Sequence, residues 1–166
     1  MLKIFNDLEP FFMDNYRRIG VREYSRIRNV SPPSASTLLE DYHKEGLLCR
    51  EEDRRYIFYS SNKDNGVFVQ LSRAYWLIQI KKSGLIDYLN EQLLNPLIIL
   101  FGSFSKAEIS PASDIDLAVA NTAKKKLNLA PFEKKLSRSI QLIFHDEAKI
   151  ELHKSIMNGF ILSGGW

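Results

Sequence analysis

The sequence predicts an α+β chain: short helices and a hairpin first, then a helical connector, then a C-terminal sheet with helices. Three observations carry this. Residues 1–62 show short helical stripes that end in a hairpin pattern, 63–95 hold only helical stripes, and from 96 onward strand, turn, helix and strand alternate. The length of 166 residues suits one medium domain or two small ones, and 45% hydrophobic with 26% charged residues is the composition of a folded chain. No apolar run approaches the roughly 18 residues of a membrane span. Asp7 and Glu9 interrupt the stretch where a secretory signal would be apolar, and the lone Cys49 excludes a disulfide framework. The expectation is a soluble, cytoplasmic protein without a membrane partner.

Taken in order, residues near 2–16 and 21–28 read as helices separated at Gly20. Ser31 is an N-cap with Pro32 at the first helical position, and Ala35, Leu38, Leu39 and Tyr42 then form one buried stripe. Gly46 ends that helix. Leu47 to Arg50 and Tyr56 to Tyr59 read as two strands around a polar turn from Glu51 to Arg55. Ser60 to Gly66 is linker chemistry. Val67, Phe68, Leu71, Ala74, Tyr75 and Ile78 form the next stripe, followed after Gly84 by Leu85, Ile86, Leu89 and Leu93. These helices suit a connector over 63–95 or a pairing surface for a homodimer.

The stretch VREYSRIRNVSPPSASTLLEDYHKEGLL with RRYIFYS resembles the winged helix-turn-helix family over residues 1–62. The resemblance implies DNA as a partner, with Pro32 to Glu45 as recognition helix offering Ser34, Ser36, Thr37, Asp41 and Lys44 to the major groove. It places Arg54 and Arg55 at the wing tip, against phosphates. Net charge is only +3, so a DNA partner rests on local basic residues. Arg17, Arg18, Arg22, Arg26 and Arg28 fall within twelve residues that contain one acid, Glu23. Glu40, Asp41 and Glu45 favour the alternative, a module for protein contact, because carboxylates repel the DNA backbone.

The C-terminal part carries the chemistry. Leu97 to Phe101 is a buried-strand run that leads into Gly102-Ser103. Ten residues later come Asp114-Ile115-Asp116, continuing into Leu117 to Ala120. A period of two puts both aspartates on one face. Two adjacent carboxylates call for a cation, and an oxygen donor set with positions left for phosphate points to Mg²⁺. Gly102 admits a phosphate close to the backbone, Ser103 adds a hydroxyl, the following helix adds N–H donors, and Lys106 adds a charge.

LFGSFSKAEISPASDIDLAV resembles the signature of the minimal nucleotidyltransferases of the DNA polymerase β superfamily, over residues 96–166. That resemblance implies ATP as substrate, held by Gly102, Ser103 and Lys106, with Mg²⁺ on Asp114 and Asp116. Ala107 stands where the family often has glycine. The family also has a third carboxylate on a following strand. Here that strand is Ser139 to Phe144, whose alternation buries Ile140, Leu142 and Phe144 and turns Gln141 to the catalytic face. Glutamine is uncharged and cannot serve as a base. If the strand persists, His145 falls on the same face and reads either as a substitute base or as a strand-end residue. Asp146 reads as a helix cap, and Glu147 and Glu151 as solvated residues of the helix that follows. Lys124 to Lys126 form a basic loop.

Two functions follow as expectations. One is transfer of a nucleoside monophosphate from ATP to a hydroxyl of a partner macromolecule, with a separately encoded protein acceptor and an antitoxin role implied by the resemblance. The other is a DNA-binding regulator whose second domain binds nucleotide or protein without turnover.

Overall fold

The computed structural model describes residues 2–144 and 150–165, with side chains omitted at 150 and 151. Fifteen elements are assigned among them, in two compact units. The first comprises residues 1–72 with 109–111, the second 73–108 with 112–166.

The first unit holds α1 (Lys3–Met13), β1 (Ile19–Gly20), α2 (Val21–Arg28), α3 (Pro32–Lys44), β2 (Leu48–Asp53) and β3 (Tyr56–Ser61). Ser31 starts α3 as expected: its side chain accepts from the Ser34 N–H at 3.3 Å, and Pro32 gives up a donor that no helical bond would use. Glu45 caps the helix end, and Gly46 follows in left-handed backbone (φ +75). The strands form one antiparallel sheet in the order β1-β3-β2. Leu8, Phe11, Phe12, Ile19, Tyr24 and Leu39 are fully buried between helices and sheet. One polar tie joins the three helices inside this core. The Tyr24 hydroxyl donates to the Asp7 carbonyl at 2.9 Å, and the Tyr42 hydroxyl donates to the Asp7 carboxylate at 2.8 Å. Burial, reinforced by Asp7, pushes the Tyr24 hydroxyl up to about 12.

The hairpin differs from expectation. Glu51, Glu52 and Asp53 are strand rather than turn, and the turn is only Arg54-Arg55. Acidic residues have poor strand propensity, which is why they read as loop. Here Glu51 and Asp53 share a face, and both receive the Arg18 guanidinium, at 3.2 and 3.4 Å. That cation offsets their repulsion.

A single helix, α4 (Gly66–Ser83), runs through the boundary between the units. Beyond it come α5 (Leu85–Leu93), β4 (Leu97–Phe101), α6 (Gly102–Lys106), β5 (Ile115–Ala120), α7 (Ala130–Leu136), β6 (Ile140–Phe144), α8 (Ile150–Met157) and β7 (Phe160–Ser163). Their sheet has the order β6-β5-β4-β7. β4 lies antiparallel to both β5 and β7, while β6 joins β5 in parallel through the crossover that contains α7.

All five residues of β4 are buried, as a strand covered on both faces requires. On one face Leu97, Ile99 and Phe101 cluster with Ala118 and with Ile156 of α8, and Ile143 and Leu152 pack against them. Trp76 of α4 meets Phe104 of α6 edge-on at 4.7 Å. On β6, Ile140 and Phe144 are buried, but Leu142, expected in the core, is only half-buried, like its neighbour Ile143. An outermost strand has a neighbour on one side only, so its middle residues stay partly open. No described helix is long and apolar enough to cross a membrane.

Candidate functional site

The chain enters the site at the end of β4, where Phe101 is followed by Gly102 at φ +71. A Cβ built on Gly102 would fall on the Asp116 carboxylate, so Asp116 occupies the space a side chain would need. The Ser105 hydroxyl donates to the Gly102 carbonyl at 2.8 Å and tightens the turn. The Ser103 carbonyl accepts from the Glu108 N–H at 3.0 Å and from the N–H of Ala107, which closes α6 in left-handed backbone (φ 56). Glycine takes this conformation without steric cost, so the alanine carries a small torsional strain. Among the described residues the Ser103 hydroxyl has no hydrogen-bond partner and the exposed Lys106 has no ion pair.

Arg73 was not singled out in the sequence. From α4 its Nε donates to the Ser105 carbonyl at 2.6 Å, and its guanidinium lies 5.4 Å from the centre of the Phe160 ring. It ties α6 to α4. Its one signal is being the only arginine of α4.

Asp114 lies just before β5, one residue short of the expected strand, and is exposed; Asp116 lies in β5 and is half-buried. Burial, and then the negative charge of Asp114, raise the Asp116 carboxyl above its ordinary value. Across the sheet, Phe101 is registered with Asp116, and Asp116 with Gln141. Residues in direct register share a face, so Asp116 and Gln141 stand side by side on it. Gln141 is exposed, whereas Ile143, two residues on, is packed against the α8 cluster. The face is therefore open at the acidic end and closed at the other. His145, Asp146 and Glu147 lie outside the described residues, as does the side chain of Glu151. Among the described residues no group of three or more His, Cys, Asp or Glu side chains is placed to hold a metal ion. Two carboxylates and one amide are present instead, an all-oxygen donor set that fits Mg²⁺ with open positions.

The basic residues of the first unit divide into paired and unpaired. Arg17 pairs with Glu23, Arg18 with Glu51 and Asp53, and Arg28 with Glu9 at 3.1 Å. Arg22, Arg26, Arg54 and Arg55 form no ion pair among the described residues. Arg54 and Arg55 are both exposed, with φ of 46 and 72. On α3, Ser36 and Lys44 are exposed and have no side-chain partner among the described residues. The Ser34 hydroxyl sits 2.8 Å from that of Ser31, and the Thr37 hydroxyl donates to the Pro33 carbonyl at 3.2 Å. The fold brings Arg26 and Arg55 to one groove but leaves Arg54 outside its lining.

Residues 84–163 match the family described as Polymerase beta, Nucleotidyltransferase, which is slightly less than half of the chain. The match takes in α5 as well as the whole sheet of the second unit and supports a nucleotidyltransferase domain there. No curated protein and no solved structure matches the chain.

Proposed function

We propose that the second unit binds ATP and transfers its nucleoside monophosphate to a hydroxyl of a partner macromolecule. In this reading the first unit is a DNA-binding winged helix-turn-helix. The observation that carries the first part is the fit of the Asp116 carboxylate into the space left open by Gly102, next to an unengaged Ser103 hydroxyl and an unpaired Lys106. Ser103, Lys106 and the backbone of the turn hold the triphosphate. Asp114 and Asp116 hold Mg²⁺, which would neutralise charge developing on the phosphoryl oxygens. In the reaction an acceptor hydroxyl oxygen bonds to the α-phosphorus, the bond to the β-phosphate oxygen breaks, pyrophosphate leaves, and the hydroxyl proton passes to solvent. By the family resemblance, the acceptor is a separately encoded protein and the role is that of an antitoxin.

Gln141 favours a second reading, in which the same site binds nucleotide without turnover and the chain acts as a DNA-binding regulator. An amide at this position neither takes a proton nor adds charge to a metal site. One experiment separates the two. The purified chain, α-labelled ATP and Mg²⁺ are incubated with a lysate of the source cell, beside a variant with both aspartates replaced by alanine. Label transferred to a macromolecule only by the unaltered chain supports the enzyme. A component of ATP binding that requires both Mg²⁺ and the aspartates but leaves no label supports the regulator. Absence of any such component would sink both.

DNA contact through the first unit is supported by the hairpin turn, where two arginines hold a backbone conformation that ordinarily selects Asn-Gly. A mobility shift that vanishes with rising salt is the expected result, since each neutralised phosphate releases counterions. No shift at low salt would leave the protein-contact role of the module.

A further inference from the structure

Between the start of α2 and the strand β3 lies a groove of about 520 Å³, within the range of small-molecule sites. Its walls carry Arg22 and Arg26, one helical turn apart on α2, and Arg55 from the hairpin. None of the three meets a carboxylate among the described residues, and the one acid on the lining, Glu23, is already paired with Arg17. No side chain caps the N-terminus of α2, which opens at the groove with Gly20 and Val21. The positive end of the helix therefore adds to the three guanidinium charges. The rest of the lining is apolar and aromatic: Ile57, Phe58 and Tyr56, the last 68% exposed with its ring unused by the core.

Three unpaired cations beside an aromatic wall select an anion that also carries a planar ring. A single carboxylate would leave two of the guanidinium groups unmatched, whereas a phosphate chain engages all three. A duplex backbone has the phosphates but offers no flat apolar body to a concave, aromatic-lined space. We infer that this groove binds a nucleoside phosphate, with its phosphates on Arg22, Arg26 and Arg55 and its base against Tyr56. This site lies wholly within the first unit and is independent of the aspartates of the second.

That independence makes it testable apart from the proposed catalytic site. The full chain with Asp114→Ala and Asp116→Ala, in EDTA, is titrated with ATP by calorimetry. Saturable binding is expected, weakened at least tenfold by Arg22→Ala with Arg26→Ala, and changed less than twofold by replacement of the exposed Lys82 (Lys82→Ala). Circular dichroism of each variant confirms that the fold is retained. Tripolyphosphate tests the base: ATP should bind several-fold tighter than tripolyphosphate, and Tyr56→Ala should abolish that difference. Absence of metal-free ATP binding overturns the inference. So does tripolyphosphate binding as tightly as ATP, which would make the groove a plain anion site. So does a loss of affinity on Arg22 and Arg26 replacement that is seen for duplex DNA and not for ATP.

Discussion

At Gly102 the chain enters left-handed backbone with a glycine, whereas at Arg54 and Arg55 it does so with two arginines. The space beside Gly102 is filled by the Asp116 carboxylate, so any side chain there meets an atom as well as a torsional cost. The hairpin turn faces solvent and meets only the torsional cost, about 1–2 kcal/mol per residue. The first position is dictated by sterics. The second is a strain tolerated at an exposed turn.

The largest expected effect tests what the Gly102 turn serves. Gln141→Asp puts a third carboxylate in register with Asp116 and should create or raise nucleotidyl transfer by roughly 10²–10⁴-fold, the range of a positioned general base. Since Gln141 is exposed, the thermal midpoint should hardly move. The assay needs a self-modification arm, in which the tyrosines and serines of the chain act as acceptors. Efficient transfer by the unaltered chain, with no gain on substitution, would move the third role to another group.

Next comes the turn itself. Gly102→Ala should cost about 1–3 kcal/mol in denaturant unfolding and remove Mg²⁺-dependent ATP binding. If affinity survives, the Asp116 carboxylate is not fixed by that turn. The opposite outcome is expected at the hairpin. Arg54→Asn with Arg55→Gly should gain about 1 kcal/mol in stability by relieving the torsions. The same pair should weaken DNA binding at all sequences alike and lower the salt slope by roughly 2. Stability and affinity moving in the same direction would contradict the contrast between the two turns.

Asp116→Asn addresses the carboxylate that fills the glycine space. A carboxyl raised on folding is stabilised in its protonated form, so the folded state binds more protons than the unfolded one just above pH 3.8. Stability of the unaltered chain should therefore fall as pH rises through that window. The asparagine variant should lack this fall and be the more stable of the two at pH 7 without Mg²⁺. Thermal melts across pH check both. The smallest effect is Ala107→Gly, which relieves a left-handed alanine but frees the unfolded chain, for a net gain of about 0.5 kcal/mol.

What the sequence disclosed was local. Ser31 before Pro32 announces the start of α3, and the run Leu97 to Phe101 coincides with β4, because caps and apolar runs act over a few residues. Alternation along β6 was enough to turn Gln141 towards the Asp116 side, though not to assign its chemistry. Ile19–Gly20 gave no strand signal, since it is a strand only by pairing with Phe58 and Tyr59, nearly forty residues away. The groove of Arg22, Arg26 and Arg55 was hidden for the same reason, and so was the bond from Arg73 to Ser105. The basic cluster from Arg17 to Arg28 was legible as a count. Its division into paired and unpaired members depends on acids at 9, 51 and 53, which only the fold brings near.

The position of β4 between β5 and β7 has a consequence for the nascent chain. β4 is wholly apolar, and its second partner is the last strand in chain order. At 5–20 residues per second, the roughly sixty residues from Phe101 to Phe160 take about 3–12 s to synthesise. Throughout that interval one edge of β4 offers unpaired N–H and C=O groups on a sticky, uncharged segment. Premature termination before Phe160 would make the exposure permanent, so fragments of that length should aggregate where the full chain does not.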